Sequence, residues 1–134
     1  MATVTGTLSL SSTDLLSDAI SFSTSFTHTT TKTSTGLARE TITSTAKGTA
    51  SGQVLLYTAD DYAAIAYLYV KNTNATPANK IYIYNDSTTG DPLWMQLAGG
   101  DFAFVPMHGD KTLKAYAPNG SDPIIEWMVF GVDQ

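Results

Sequence analysis

The chain predicts an all-β fold, an antiparallel β-sandwich of jelly-roll-like form built from about eight or nine short strands. Three observations carry this. Apolar and polar residues alternate with a period of two in segments that recur from Thr3 to Val132. These segments are separated by TTGDP, AGGD, MHGDK and PNGSDP, which supply the glycine, proline, asparagine and aspartate that turns demand. No segment supports more than a turn or two of helix.

The first strand, TVTGTLSLSS, places Val4, Gly6, Leu8 and Leu10 on one face and hydroxyl side chains on the other. AISFSTSFTHT repeats the arrangement with Ile20, Phe22 and Phe26 on one parity, as suits a strand packed by a single face. Between them SSTDLLSDA has room for one short helical turn, capped by Ser12 or Thr13. HTTTKTSTG, residues 28–36, lacks large apolar groups and is expected to be an exposed, mobile loop. LARETITSTAKGTASGQ begins with a helix-compatible run, but its threonines and Gly48 and Gly52 favour extended chain. QVLLYTADDY gives a short apolar strand ending in a polar corner.

Residues 64–85, AIAYLYVKNTNATPANKIYIYN, are apolar or aromatic on both parities. If Ile65–Lys71 pairs antiparallel with Lys80–Tyr84 as a hairpin, Leu68, Val70, Ile81 and Ile83 share one face. Tyr67, Tyr69, Tyr82 and Tyr84 then share the other. The aliphatic face is the expected core, and NTNATPAN the connecting loop. PLWMQL, DFAFVP, TLKAYA and PIIEWMVFGV complete the strands.

A chain of 134 residues with 43% hydrophobic content suits one sandwich domain spanning 1–134. Its Thr/Ser-rich part, residues 1–58, is a candidate arm, and residues 59–134 hold the C-terminal strands. Cysteine is absent, which excludes disulfides and thiolate chemistry. The N-terminus lacks the pattern of a signal peptide and no stretch has the length of a membrane span, so a soluble protein is expected. The net charge is −5: three acids balance three bases up to Thr58, and nine acids face four lysines beyond it. With one arginine and no basic cluster, direct nucleic-acid binding is disfavoured.

Catalytic and metal chemistry find little support. His28 and His108 are the only imidazoles; His108 lies in a turn near Asp110 with no further ligand placed beside it. Asp60 and Asp61, as neighbours on extended chain, point opposite ways. GTASG and NGSD are not nucleophile elbows, and GTASGQ is not a phosphate loop. Asn74, Asn85 and Asn119 stand in glycosylation sequons that a Thr/Ser-rich chain produces by chance. The expectation is a protein with no enzymatic activity, no cofactor and no metal. Trp94 and Trp127 are expected in or at the edge of the core. Exposed aromatics on a sandwich also stack on sugar rings, so a carbohydrate-binding module is the alternative.

YLYVKNTNATPANKIYIYN, LAGGDFAFVPMHGDKTLKAYA and the closing IIEWMVFGVD, with GLARETIT less specifically, resemble small virion structural proteins of tailed bacteriophages. The resemblance covers about half the chain. It implies a capsid decoration (cement) protein on the outer capsid surface, made in the host cytoplasm. A neck, tail or fibre component is implied almost equally. The partners it implies are the major capsid protein and further copies of this chain, a trimer being favoured, with no membrane and no nucleic acid. On that reading Tyr67, Tyr69, Tyr82 and Tyr84 are the subunit-contact residues, and the N-terminal strand or the 28–36 loop is an arm onto a neighbour.

Overall fold

A strand that alternates apolar and polar residues buries only one face, so it needs a second sheet to cover that face. The computed structural model meets this requirement; it describes residues 2–14, 19–30, 36–48, 51–59, 65–86 and 92–132. Among them are ten strands and no helix: β1 Ala2–Ser12, β2 Ile20–Thr30, β3 Ala38–Thr41, β4 Val54–Tyr57, β5 Ile65–Asn72, β6 Ile81–Asn85, β7 Leu93–Leu97, β8 Phe102–His108, β9 Leu113–Tyr116 and β10 Ile124–Val132.

Eight of these form two four-stranded antiparallel sheets, ordered β3-β10-β5-β8 and β4-β9-β6-β7. The pairings β3 with β10, β4 with β9, β5 with β8 and β6 with β7 are nested, first strand with last and so inward. A long two-stranded ribbon folded over so that its successive rungs alternate between two sheets has this order, which is the jelly roll. β1 and β2 stand apart as a third, two-stranded sheet, paired from Ala2↔Thr30 to Ser12↔Ile20.

The core lies between the four-stranded sheets. Ala66, Leu68 and Val70 of β5 and Ile125, Trp127 and Val129 of β10 face Val54, Leu56, Ile81, Ile83 and Ala115 of the other sheet, all buried. Each large aliphatic side chain enclosed in this way contributes about 1.5–3 kcal/mol of transfer free energy.

The expected hairpin between Ile65–Lys71 and Lys80–Tyr84 does not form. β5 pairs with β10 and β8, whereas β6 pairs with β7 and β9, so the two strands belong to opposite sheets. The corner is made by Asn72, which is fully buried. Its amide donates to the carbonyls of Asn79 (2.7 Å) and Leu97 (3.2 Å), and its Oδ1 accepts from the Asn74 N–H (3.1 Å). Gly99 of the AGGD turn lies against the Thr76 carbonyl, where any Cβ would overlap it. These contacts turn the chain out of one sheet and into the other. Alternation determines which side chains face inward but not which strand lies alongside.

The expected loop at 28–36 is also partly corrected: β2 continues through Thr30, which is buried, and residues 31–35 lie outside the described set. Of the short turn expected after Ser12, residues 15–18 lie outside it as well.

Candidate functional site

The ribbon of β1 and β2 has two chemically different faces. On one, every position from Thr3 to Ser11 and from Ser21 to Thr29 is serine or threonine, and hydroxyls meet across the strands at Ser9–Ser23 (3.1 Å) and Thr5–Thr27 (3.5 Å). On the other lie Val4, Gly6, Leu8, Leu10, Phe22, Phe26 and His28, with Thr24 between Phe22 and Phe26. Gly6 is paired with Phe26, whose ring lies over it; a Cβ at Gly6 would overlap that ring. The glycine that interrupts TVTGTLSL therefore lets an aromatic side chain lie flat across the ribbon.

The apolar face rests on the outer side of the β3-β10-β5-β8 sheet. β2 touches β10, His28 packs at a tilt on Tyr67 of β5 at 4.2 Å, and Phe26 stacks on Phe104 of β8 at 4.5 Å. Tyr67 and Phe104 in turn stack on Phe130 at 5.4 and 6.1 Å, and Phe130 is fully buried although it points away from the main core. The ribbon thus builds a second, aromatic core on the outside of the sandwich. Offset ring pairs of this kind contribute about 0.5–1.5 kcal/mol each beyond area burial.

Read along β2 from Thr30 toward the tip, the ribbon crosses β10, then β5, then β8, the outer strand of that sheet. Beyond Phe26, β2 continues for six residues, about 20 Å of extended chain, of which 21–25 are exposed. Phe22 is 50% exposed and Leu10 55% exposed there, and Leu8 is exposed beside them. Leu8, Thr24 and Phe26 of the ribbon and Phe102, Phe104 and Val105 of β8 line an open groove of about 640 Å³.

The four tyrosines expected on one contact surface are not brought together. Tyr67 is covered by His28 of the ribbon. Tyr69 is half-buried on the same outer face and donates its hydroxyl to Glu126 (3.0 Å). Tyr82 lies on the opposite sheet, stacked on Tyr116 at 5.5 Å. Tyr84 is fully buried next to an irregularity in the β6–β7 pairing, and its hydroxyl donates to Gln53 (2.7 Å). Sequence reasoning read the N-terminal strand or the 28–36 loop as an arm onto a neighbour and missed that the ribbon lies on its own sheet, Phe26 packed on Phe104 beside Phe130. The available signal was Gly6 within an alternating strand, together with the absence of any acid, lysine or arginine from β1 and β2.

Glu126 forms the polar end of this outer face. Arg39 Nε donates to it at 2.6 Å, and this bond, with the Tyr69 hydroxyl, holds its carboxyl below the usual carboxylate range. Burial, and then the bond to Glu126, push the Tyr69 hydroxyl above its ordinary value. A carboxylate whose folded-state value is depressed contributes stability above its unfolded-state value and loses it as pH falls through the folded one. Wild-type protein is therefore expected to lose thermal stability more steeply than Glu126→Gln on acidification below about pH 4, read as melting temperature against pH. The effect is small, because Arg39 is largely solvated. Parallel pH profiles for the two proteins would contradict this assignment.

The remaining candidates sit elsewhere. Trp127 is in the core, as expected, but Trp94 is not: it is 40% exposed on β7. It borders a cleft of about 380 Å³ with Pro106, Met107, His108 and Lys111, between the outer strands of the two sheets. His108 Nδ1 and Lys111 Nζ both meet Asp110, at 2.9 and 3.1 Å, and the pairing with Lys111 first, then with His108, holds Asp110 below its ordinary value. Asp60 and Asp61 lie outside the described residues. Among the described residues no group of three histidines or acids is placed to hold a metal ion. Compared with known proteins, the chain matches no family model, no curated protein and no solved structure.

Proposed function

We propose that this protein is a virion structural subunit, a capsid decoration protein that attaches to the outer shell and stiffens it, and that it is not an enzyme. The observation that carries the reading is the exposed half of the β1–β2 ribbon. The ribbon is an uncharged element that seats half of its apolar face on its own sheet and presents Leu8, Leu10 and Phe22 of the other half outward. Contiguous exposed apolar surface on a small domain marks a contact with another macromolecule. The sandwich beneath it is a rigid support, and the jelly roll recurs in shell-forming domains, although a fold alone does not assign a function. Many weak contacts repeated over a lattice sum to firm attachment.

The test is to add purified protein to phage heads that lack it. Saturable binding in hundreds of copies with increased resistance to heat supports the proposal. A few copies per particle would relocate the protein to a neck or tail, and no binding overturns the reading. Trp94 favours a second reading, a carbohydrate-binding module, because its exposed ring edges a cleft rimmed by His108 and Lys111. Saturable glycan binding by the isolated protein, lost in Trp94→Ala, would transfer the assignment to that reading.

A further inference from the structure

We infer that β1 accepts one further strand along its outer edge, an extended and uncharged segment contributed by the shell protein. The inference rests on reading the protein as a decoration subunit and specifies how it attaches.

The first observation is a contrast between sheet edges. An edge strand presents outward N–H and C=O groups on which another chain can pair, and proteins blunt such edges with short strands, charges, proline or bulges. All four edges of the sandwich are blunted. β3 has four residues, among them Arg39 and Glu40, and β8 contains Pro106. β4 has four residues and a register shift between Leu55 and Tyr57, and β7 has five beside a shift between Ile83 and Tyr84 of β6. β1 has none of these devices. It runs for 11 residues without proline, acid, lysine or arginine, and its pairing with β2 proceeds without a register shift. Among the described residues β1 pairs with β2 alone, so the outward backbone groups of Thr3–Ser11 remain unpaired.

The second observation is where that edge lies. The groove of about 640 Å³ is lined by Gly6, Thr7 and Leu8 of β1 in succession, but by only Thr24 and Phe26 of β2, alternate residues of its apolar face. The Thr7 side chain belongs to the hydroxyl face, so β1 borders the groove by its backbone edge. Tyr69, Phe102 and Phe104 line the same groove from the outer face of the sheet. A strand added about 4.8 Å from β1 therefore lies in the groove, with alternate side chains resting on these rings and the others extending the hydroxyl face. β2 shares the composition of β1 but not this position.

The occupant follows from charge and from what each chain has to offer. Every residue lining the groove is uncharged, and a charged side chain laid there would lose water without gaining a partner. Among its described residues a second copy has no segment to spare: its long uncharged strands, β1 and β2, are paired with each other and seated on their own sheet. Pairing β1 of two copies edge to edge would also put both sandwiches on one side of the common sheet, where Tyr69 and Phe102 of the first already lie. An extended segment of another polypeptide fits. Its backbone bonds supply affinity, and the groove selects its inward side chains.

Hydrogen exchange of the full chain, alone and attached to phage heads that lack it, tests this by mass spectrometry on peptide fragments. In the protein alone, about half the β1 amides, those pointing outward, should exchange rapidly. On attachment they should slow by about tenfold or more, as newly bonded amides do, while the outward amides of β2 keep their rate. Thr7→Lys, which charges the β1 edge, should weaken head binding by about tenfold, the loss of about 1.4 kcal/mol. Its cross-strand neighbour Ser25, changed to lysine, should leave binding intact; both side chains are exposed, so neither change should move the melting temperature. Attachment with unaltered β1 exchange, or Thr7→Lys and Ser25→Lys with equal effects, refutes strand addition and leaves the decoration reading standing. Slow β1 exchange already present in concentrated protein without heads gives the edge to a second copy and overturns the inference. No attachment at all overturns the decoration reading and this contact with it.

Discussion

Phe130→Ala is expected to destabilise the protein by about 3–5 kcal/mol, the usual cost of emptying a buried aromatic site. The size of the effect follows from its position. Phe130 points out of the sandwich, where an isolated sheet would expose it, and it is fully buried because the ribbon lies above it. Its ring stacks on Tyr67 and Phe104, which hold His28 and Phe26 of β2. Removing it therefore opens a cavity and loosens the seat of the arm. Denaturant unfolding should show the loss as a lower midpoint, and limited proteolysis should show faster cleavage in β1 or β2 than in the sandwich strands. A loss below about 1 kcal/mol, the level of an ordinary surface substitution, would mean that the aromatic cluster is not a second core.

Leu68→Ala and Ile83→Ala are each expected to cost about 2–5 kcal/mol, with the ribbon still seated wherever the sandwich remains folded. Both side chains are fully buried between the sheets, Leu68 projecting from β5 and Ile83 from β6. They face each other from opposite layers, so neither shares a ladder with the other. Equilibrium unfolding in urea measures the loss. A cost below about 1 kcal/mol at either position would remove it from the core.

The two experiments separate two kinds of burial that look alike in the sequence. Leu68 lies in a core that period-two alternation announces, and its burial was legible: the aliphatic parity of 65–71 and of 80–84 faces inward in the structure. Phe130 has the opposite parity to Val129 and would be read as a surface residue of β10. Its burial depends on a segment about a hundred residues earlier in the chain. The candidate contact surface shows the same division. Tyr67 and Tyr82 were assigned to one surface because each has tyrosine parity, yet they lie on opposite sheets.

By itself the sequence determined the all-β, jelly-roll-like sandwich class, the positions of most strands and turns, and which parity of each sandwich strand faces inward. These are local properties, set by the alternation of side chains along extended chain and by the backbone demands of glycine, proline and asparagine at turns. Only the tertiary structure decided that β5 and β6 part at Asn72 into different sheets, which eight strands nest in the jelly roll, and that two remain outside it. It also decided that the β1–β2 ribbon lies across β10, β5 and β8. The physical reason is that backbone hydrogen bonding is the same for every strand. Any two strands of suitable parity can pair, and the choice among them is made by the corner contacts of Asn72 and Gly99 and by the packing of Phe26 over Gly6, interactions between residues far apart in the chain.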